Sequence, residues 1–371
     1  MRTLAAVLSH APAERPYTET RPLEVLELDL DGPDEGQVLV EIASAGLCHS
    51  DLSVINGGIP RPLPIVLGHE ASGIVREVGT GVKDLRAGDH VVFSYVPTCG
   101  TCRFCINGRA ALCERGAAAN DKATLLGGAV KFQGAYHMLG VSAFSRYVVA
   151  AQQSLIKIEA GFPLDVAALF GCAVLTGVGA VINTARVEPG SSVAIFGAGG
   201  VGLSVVMGAV LAGAYPIVVL DLLESKRQLA LQMGASHAID AGRDDAVKEV
   251  RDLTGGGADY VFEAVGNDKL LARAFSATAR GGTTVAVGLT PGDQRLTISA
   301  VVLVLHERTV KGSFMGSAVP ARDVPRLMRL YQAGKLPVDT LVSRSMPLEA
   351  INDGFERLAT GEVARQLISF G

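Results

Sequence analysis

A glycine-rich turn between an apolar strand and an apolar helix constrains the fold of this chain more than any other feature. The stretch VAIFGAGGVG puts Gly197, Gly199 and Gly202 directly after a strand-like run and at the start of a helical pattern. The first glycine permits a tight turn, the second lets the backbone approach a pyrophosphate, and the third lets helix and strand pack closely. The turn therefore predicts a dinucleotide-binding site at a helix N-terminus, where free N–H groups favour phosphate.

Strand and helix patterns alternate on both sides of this turn, from about residue 192 to residue 289. Near-continuous apolar strands that alternate with helices predict a parallel sheet covered on both faces. Residues 1–150 are instead mostly β, with strand-like runs at 37–46, 71–79 and 88–96, and a final strand, RQLISF, ends the chain. We therefore expect an α/β, doubly wound parallel sheet inserted into a β-rich domain that resumes near the end.

The nucleotide preference is indicated by Asp221, which ends the next strand nineteen residues after Gly202. A carboxylate there suits both ribose hydroxyls of an adenosine and repels a 2′-phosphate, so NAD is favoured over NADP. The alternative is a solvated carboxylate at a strand end. Lys226 and Arg227, in the following helix, weaken the preference, because a cation there could tolerate a phosphate.

Four of the six cysteines lie in one short segment, PTCGTCRFCINGRAALCE. Closely spaced thiolates supply the tetrahedral ligand set that Zn²⁺ prefers, and four protein ligands leave no open position, so this zinc is expected to be structural. An iron–sulfur cluster is the alternative, whereas four free thiols in an exposed loop would oxidise. The ligands are Cys99, Cys102, Cys105 and Cys113.

The remaining cysteines, Cys48 and Cys172, could each be a small buried apolar residue. His69, in VLGHEASG, offers a third ligand. Two cysteines and one histidine form a catalytic zinc set, with three protein ligands and one position for water or substrate. Two thiolates and a neutral imidazole leave such a site without net charge.

Composition excludes other classes of partner. The net charge is −4, from 33 basic and 37 acidic residues, which favours neither nucleic acid nor an anionic membrane. The apolar stretch at 4–8 is too short for a signal peptide, and no window of the sequence approaches a membrane span. We expect a cytoplasmic protein that acts on a small molecule, in which cysteines bind metal rather than form disulfides.

Several motifs, in this order, resemble those of the zinc-containing medium-chain alcohol dehydrogenases, and most of all the long-loop liver-type branch. They are GLCHSDL, GHEASGIVREVG, the four-cysteine segment, FGCAVLTGVGA, FGAGGVGLS, ERTVKGSFMG and DGFERLATGE. The resemblance implies a GroES-like catalytic domain with both zinc sites at 1–174 and 318–371, and a Rossmann NAD-binding domain at 175–317. It also implies two Zn²⁺ per chain, NAD as cofactor, and a homodimer, with a homotetramer as the alternative.

The resemblance also assigns roles to residues. Cys48, His69 and Cys172 would hold the catalytic zinc, with Glu70 beside it, Asp51 bonded to the far nitrogen of His69, and Ser50 as the proton acceptor. The implied cofactor contacts are His49, Thr176, Gly197, Gly199, Gly200, Val201, Gly202, Asp221, Lys226, Leu289 and Arg365. The implied substrate pocket, to which Leu289 also contributes, is Ile59, Tyr95, Ala118, Phe314 and Met315.

The chain departs from the family pattern at four positions. His49 stands where the branch often has an arginine, and Ser53 where many members have the histidine that ends the proton relay, so the relay is expected to run through water. Ile59 and Ala117 replace the charged residues of the glutathione-dependent formaldehyde subgroup, which argues against that substrate.

One of the implied cofactor contacts has a different interpretation when the resemblance is set aside. From the sequence alone, Arg365 would be interpreted as a surface arginine.

The expected function is a zinc-dependent oxidoreductase that interconverts an alcohol, primary and medium-chain or aromatic, and its aldehyde or ketone by hydride transfer with NAD(H). One alternative is a zinc-free reductase of enones or quinones, which would lack the cysteine-rich segment and the Cys48–His69–Cys172 set. Another is a non-catalytic NAD-binding protein, which would have lost a catalytic ligand.

Overall fold

Most of the apolar runs in the sequence form strands. The computed structural model describes residues 1–370. Its strands, in chain order, are β1 (Arg2–Leu8), β2 (Leu23–Asp29), β3 (Gln37–Gly46), β4 (Ile65–Val66), β5 (Glu70–Val78), β6 (His90–Phe93), β7 (Tyr136–His137), β8 (Tyr147–Ala151), β9 (Leu155–Ile158), β10 (Val193–Phe196), β11 (Ile217–Asp221), β12 (His237–Asp240), β13 (Ala258–Glu263), β14 (Thr278–Ala286), β15 (Thr309–Gly312), β16 (Val342–Met346) and β17 (Arg365–Ser369).

The helices are mostly short, and the longest have ten to thirteen residues. In chain order they are α1 (Tyr17–Thr20), α2 (His49–Ile55), α3 (Arg103–Ile106), α4 (Glu114–Asp121), α5 (Leu164–Ala168), α6 (Ala173–Gly179), α7 (Gly200–Leu211), α8 (Glu224–Gln232), α9 (Ala246–Leu253), α10 (Asp268–Ala277), α11 (Ala300–Leu305), α12 (Pro320–Gln332) and α13 (Ile351–Thr360). Single 3₁₀ turns include Leu169–Gly171, Met315–Ser317 and Val338–Leu341, and Ala180–Ala185 is a π-helical turn.

The described chain divides into two units. One comprises Met1–Cys172, Val319–Arg329 and the chain from Val342 on, and the other comprises Ala173–Ala318 and Leu330–Leu341. The second unit ends later than the sequence boundaries of 175–317 suggest, because the turn Val338–Leu341 packs against α7 and buries Val338 and Leu341.

The second unit is built on a parallel sheet with the strand order β12–β11–β10–β13–β14–β15. Counted within the sheet, this is the order 3-2-1-4-5-6 of a doubly wound dinucleotide-binding fold. The core below its helices is apolar and includes Phe196, Leu220 and Val261. The predicted doubly wound sheet, inserted between two parts of a β-rich unit, is therefore confirmed.

The first unit contains two sheets. The larger has the order β16–β17–β3–β5–β6–β9, with β8 also paired to β3, and the smaller has the order β2–β1–β4–β7. The last strand, β17, runs antiparallel to β3 and places Leu367 opposite Gly46. Residues from both ends of the sequence thus share one sheet.

The long apolar stretch at 162–185 is not one helix. It forms α5, a 3₁₀ turn and α6, and the break falls at Cys172, whose φ of −139° and ψ of −78° are not helical. Among residues 1–370 no single helix is long and apolar enough to cross a membrane. The bent pair Leu164–Gly171 with Ala173–Ala185 meets that test only when its two parts are taken together.

Candidate active site and metal centres

Three potential metal ligands from distant parts of the sequence converge in the first unit. Cys48 precedes α2, His69 ends the loop before β5, and Cys172 follows the turn Leu169–Gly171. Their Sγ and ring nitrogen atoms all lie within 4.8 Å of one another, and all three side chains are buried. The Cys172 Sγ lies 3.5 Å from the His69 Nε2.

This geometry fits zinc. Tetrahedral Zn²⁺ with Zn–S near 2.3 Å and Zn–N near 2.0 Å requires ligand atoms roughly 3.5 to 3.8 Å apart. A hydrogen bond from Cys172 and the charges of Arg365 and His69 outweigh burial and lower the pKa of Cys48, whereas the hydrogen bond to Cys48 and burial raise the pKa of Cys172. The three residues could therefore hold a zinc ion, and three ligands leave one coordination position for another molecule.

Two glycines allow the chain to approach this cluster. Gly68, with a φ of +93°, precedes His69, and a Cβ there would lie 2.6 Å from the backbone nitrogen of Phe144. Gly46, two residues before Cys48, would place a Cβ 2.5 Å from Glu70 Oε1. Any side chain at either position would displace a neighbour of the ligands.

The orientation of His69 is set by Asp51. Asp51 Oδ2 lies 3.0 Å from His69 Nδ1, the ring nitrogen that faces away from the cysteines. Its other oxygen, Oδ1, accepts a hydrogen bond of 2.9 Å from the backbone N–H of Gly68. Both carboxylate oxygens thus fix the loop and the ring, a common arrangement for a metal-ligating histidine.

Glu70 and Arg365 form a buried pair beside the cluster. Arg365 Nη2 lies 3.7 Å from Glu70 Oε2, and Nη1 donates a 3.0 Å hydrogen bond to the carbonyl of Leu47. Burial raises the pKa of Glu70 to about 7, although Arg365 opposes the shift. Arg365 is only 3% exposed, so the interpretation of this residue as a surface arginine, made without the resemblance, is wrong. Its partner on β5 is distant in sequence, which is why no local pattern revealed its burial.

The four-cysteine segment also converges. The four Sγ atoms lie within 4.8 Å of one another. Cys113 Sγ accepts from the N–H groups of Cys99 and Gly116, at 3.3 and 3.4 Å. Burial raises the pKa of Cys99, but N–H donors from Thr101 and Cys102 outweigh it and bring the pKa to about 6. This set fits a second zinc ion with no open position.

The first turn of α2 places a hydroxyl close to Cys48. Ser50 Oγ lies 3.9 Å from Cys48 Sγ. His49 is exposed at the start of the helix. Ser53, one turn later, donates a 2.8 Å hydrogen bond to the carbonyl of His49. The hydroxyl of Ser53 is therefore engaged with the helix backbone, and Ser50 is the hydroxyl next to the ligands.

The predicted nucleotide-binding residues lie together in the second unit. Gly197 follows β10 and adopts a φ of +96°, while Gly199 caps α7 and has open space where a Cβ would be. Gly200, Val201 and Gly202 form the first turn of α7. This cradle at a helix N-terminus fits a pyrophosphate.

Asp221 ends β11, and its carboxylate accepts hydrogen bonds from the backbone of this turn and of its own strand end. Its Oδ2 accepts from the N–H of Ala198 at 2.7 Å, and its Oδ1 accepts from the N–H of Leu223 at 2.9 Å. Arg227 is committed elsewhere, since it pairs with Glu224 and donates to the carbonyl of Asp221. One of the two cations that weaken the NAD preference is thus already bound, whereas the other, Lys226, is partly exposed.

The predicted pocket residues divide between the two units. In the first unit, the ring of Tyr95 meets that of His69 edge-on, with centroids 5.5 Å apart, while Ile59 is half-buried and Ala118 is exposed. In the second unit, Leu289 and Phe314 are 61% and 46% exposed. Met315 and Thr176 are also in the second unit and are both buried, and the Oγ1 of Thr176 has no hydrogen-bond partner.

The sequence analysis missed Arg61. Its side chain is largely buried and packs against α4. Nothing in the run IPRPLP marks the arginine as buried, because the helix that covers it is more than fifty residues away.

Comparisons with known proteins agree with this geometry. Residues 34–160 match the family described as alcohol dehydrogenase GroES-like domain, and residues 200–333 match the zinc-binding dehydrogenase family. The chain is 41% identical over 379 residues to an NDMA-dependent alcohol dehydrogenase of Amycolatopsis methanolica, with 99% of both chains covered. The predicted GroES-like domain is therefore confirmed.

Two solved structures are similar over almost their whole length. Benzyl alcohol dehydrogenase from Acinetobacter calcoaceticus is 33% identical, with a TM-score of 0.94 and 100% of both chains covered. An alcohol dehydrogenase zinc-binding domain protein from Burkholderia ambifaria is 36% identical, with a TM-score of 0.93 and coverage of 100% of this chain and 99% of the other.

Proposed function

This chain belongs to the zinc-containing medium-chain alcohol dehydrogenases, oxidoreductases that interconvert alcohols and carbonyl compounds, and from that membership we propose how its own residues carry the reaction. The observation behind the proposal is the buried convergence of Cys48, His69 and Cys172. Three protein ligands leave one coordination position for the substrate, whereas the four-cysteine set leaves none.

When bound at these residues, zinc supplies a Lewis acid for the alcohol oxygen, and a nicotinamide supplies the hydride acceptor. The chain's own groups set the charge around that position. The thiolates of Cys48 and Cys172 balance the dication, and Glu70 and Arg365, 3.7 Å apart, balance each other. While Glu70 is ionised, these groups and the dication together carry no net charge.

The proton of the alcohol leaves through Ser50. Its Oγ lies 3.9 Å from Cys48 Sγ. Ser53 donates to a helix carbonyl and carries no basic group. We therefore assign the next step of the proton path to water, beyond Ser50.

The nucleotide is NAD. Its pyrophosphate fits the open space at Gly199, with Thr176 of the same unit against the nicotinamide. Asp221 faces the ribose and carries a negative charge, while Arg227 is held by Glu224. A 2′-phosphate would therefore meet an anion without a free arginine to offset it.

The substrate is a primary alcohol with an apolar body, medium-chain or aromatic. Support comes from the apolar pocket residues and from the similarity to an enzyme named benzyl alcohol dehydrogenase. In the first unit the pocket residues are Ile59, Tyr95 and Ala118.

A homodimer is the proposed assembly, formed through the second unit. The helix α11 reads AVVLVL, and Val301, Val304 and Leu305 are 61%, 71% and 70% exposed. Next to it in sequence, β15 is the last strand of the parallel sheet. An apolar helix beside an open sheet edge suits a self-complementary interface with a second copy.

An assay of purified, zinc-loaded protein with benzyl alcohol tests the proposal. We expect NADH to form with free NAD⁺ and the activity to disappear after prolonged chelation. Zinc-independent turnover of an enone would instead identify a reductase, and no turnover of any substrate would identify a binding protein.

One relative is named NDMA-dependent, so the assay is run with and without NDMA. Turnover only in its presence would show that free NAD⁺ is not the oxidant that regenerates the enzyme.

A further inference from the structure

A largely buried cation, Arg61, lies in the first unit and uses few of its hydrogen-bond donors. Its side chain is 18% exposed. Nη1 donates a long bond of 3.4 Å to the carbonyl of Asn120, and the buried Nε has no hydrogen-bond partner. A guanidinium offers five N–H donors in a planar fork. Because an unpaired buried charge is costly, buried arginines normally contact an anion.

The anion beside Arg61 compensates it poorly. Asp121 Oδ1 lies 4.0 Å from Nη1, and the Asp121 side chain is 81% exposed. At that distance the two groups share no hydrogen bond, and solvent screens the attraction. In agreement, burial lowers the pKa of Arg61 despite the opposing charge of Asp121. The guanidinium therefore retains donors and charge for another group.

Arg61 is connected to a metal ligand through two residues of the same unit. The ring of Tyr95 lies edge-on to that of His69. The carbonyl of Tyr95 accepts a 2.8 Å hydrogen bond from Asn120 Nδ2, and the carbonyl of Asn120 accepts from Arg61. Ile59, a residue of the proposed pocket, is two positions before Arg61 in the chain. These contacts place Arg61 two residues away from a side chain that touches the ligand His69.

We propose that Arg61 is a specificity-determining residue that binds a carboxylate at the end of the substrate remote from the hydroxyl. A planar guanidinium matches a carboxylate with two parallel hydrogen bonds. The inference rests on the proposed function, which places the hydroxyl at Cys48, His69 and Cys172. The proposed pocket is then apolar along its length and has the positive charge of Arg61 at the end remote from the hydroxyl.

A neutral ligand is the competing possibility. Asn120 Oδ1 is also buried without a partner, so a carboxamide could donate to Asn120 while it accepts from Arg61. The two possibilities differ in charge, and substrates that are otherwise alike distinguish them.

The experiment compares benzyl alcohol, 4-(hydroxymethyl)benzoate and 4-(hydroxymethyl)benzamide as substrates of the zinc-loaded enzyme. We expect kcat/KM for the carboxylate to exceed that for benzyl alcohol by about tenfold to hundredfold, mainly through KM, since a charged hydrogen bond is gained in binding. Preference for benzyl alcohol, or for the carboxamide over the carboxylate, would overturn the inference. If none of the three is oxidised, the proposed function itself fails.

Variants at Arg61 supply the second arm. In Arg61→Met the kcat/KM for the carboxylate should no longer exceed that for benzyl alcohol. In Arg61→Lys part of the preference for the carboxylate should remain. Arg76→Met is the matched control, because Arg76 is an exposed arginine of the same unit already paired with Glu41; it should keep the wild-type ratio. A ratio unchanged in Arg61→Met would overturn the inference, and the wild-type comparison decides the matter if that variant does not fold.

Discussion

The imidazole of His69 is held by the carboxylate of Asp51, with Nδ1 and Oδ2 3.0 Å apart and both side chains buried. A buried carboxylate on one ring nitrogen fixes the tautomer that leaves Nε2 free to bind a metal. The same carboxylate accepts from the N–H of Gly68. Asp51 therefore orients both the ligand and the loop that presents it.

Removal of that charge should weaken the catalytic zinc. For Asp51→Asn we expect zinc affinity at this site to fall about 10- to 100-fold, the usual cost of losing the partner of a ligating histidine. Competition with a chromogenic chelator measures it. Asp252→Asn, an exposed aspartate paired with Lys248, is the control. Equal affinities in all three proteins would contradict the role given to Asp51.

The two cysteine sets should respond differently to loss of a ligand. Cys172→Ala should retain about one of two zinc ions, remain folded and lose nearly all activity, because the open site is the catalytic one. Cys102→Ala should also lose about one zinc, but with a lower thermal midpoint, since a closed site stabilises its loop. Elemental analysis and thermal unfolding measure both effects. The opposite pattern would exchange the two assignments.

The carboxylate of Asp221 should set the nucleotide preference. We expect NAD to be favoured over NADP by at least about 2 kcal/mol, from a lost charged hydrogen bond and a repulsion. Asp221→Gly should narrow the gap. Asp221→Asn should also narrow the gap. Because the amide oxygen of asparagine still offers an acceptor for the N–H of Ala198, this variant separates the effect of charge from that of turn geometry. Equal kcat/KM for both nucleotides in the wild type would refute the assignment.

The apolar helix α11 should decide the oligomeric state. Val304→Glu places a charge on its most exposed apolar position, and we expect a shift from dimer to monomer in sedimentation velocity at micromolar concentration. Tyr215→Glu alters another exposed apolar residue of the same unit and should leave the dimer intact. If the wild type is a monomer, or if both variants dissociate alike, α11 is not the interface.

His137 should make the protein sensitive to acid. Burial, assisted by the charge of Lys131, lowers the pKa of His137 to about 3, whereas the unfolded chain titrates near 6.5. Between these values the unfolded state binds the proton and the folded state does not. Stability conferred by this residue is therefore complete above pH 6.5 and is lost as the pH falls toward 3, at up to about 1.4 kcal/mol per pH unit.

The stability of the variant His137→Gln should depend less on pH than that of the wild type over the same interval. Thermal midpoints of wild type and variant, recorded on the zinc-loaded proteins, give the difference, because metal loss at low pH is common to both. His10→Gln, at an exposed position, should follow the wild type. Parallel curves for all three proteins would show that His137 takes up no proton on unfolding.

The sheet of the second unit could be predicted because its signals are local. The run before Gly197 is continuously apolar, and the glycines specify the turn that follows. β12 and β15 were not predicted, because each has only four residues and neither is fully buried, so no period-two pattern stands out. The helix break at Cys172 leaves no local signal either, since apolar composition alone does not distinguish one helix from two.

The candidate site was predicted from residue types that are rare in this chain, which made Cys48, His69 and Cys172 conspicuous. Buried arginines whose contacts are distant in the sequence were harder to recognise. Arg365 is buried by a partner on β5, and Arg61 is covered by α4. Lysines and arginines are common at surfaces, so only the tertiary contacts reveal which of them are desolvated.

The pairing of β17 with β3 has a consequence for synthesis on the ribosome. The end of β3 leads directly to Cys48, and Leu47 donates its N–H to the carbonyl of Gln366, a residue of β17. At about 10 residues per second, roughly half a minute separates translation of these strands. Cys172, the last of the zinc-ligand residues in the sequence, is made partway through that time. From then on the nascent chain carries every zinc-ligand residue, yet the edge of β3 next to Cys48 stays open to any other strand until β17 is made.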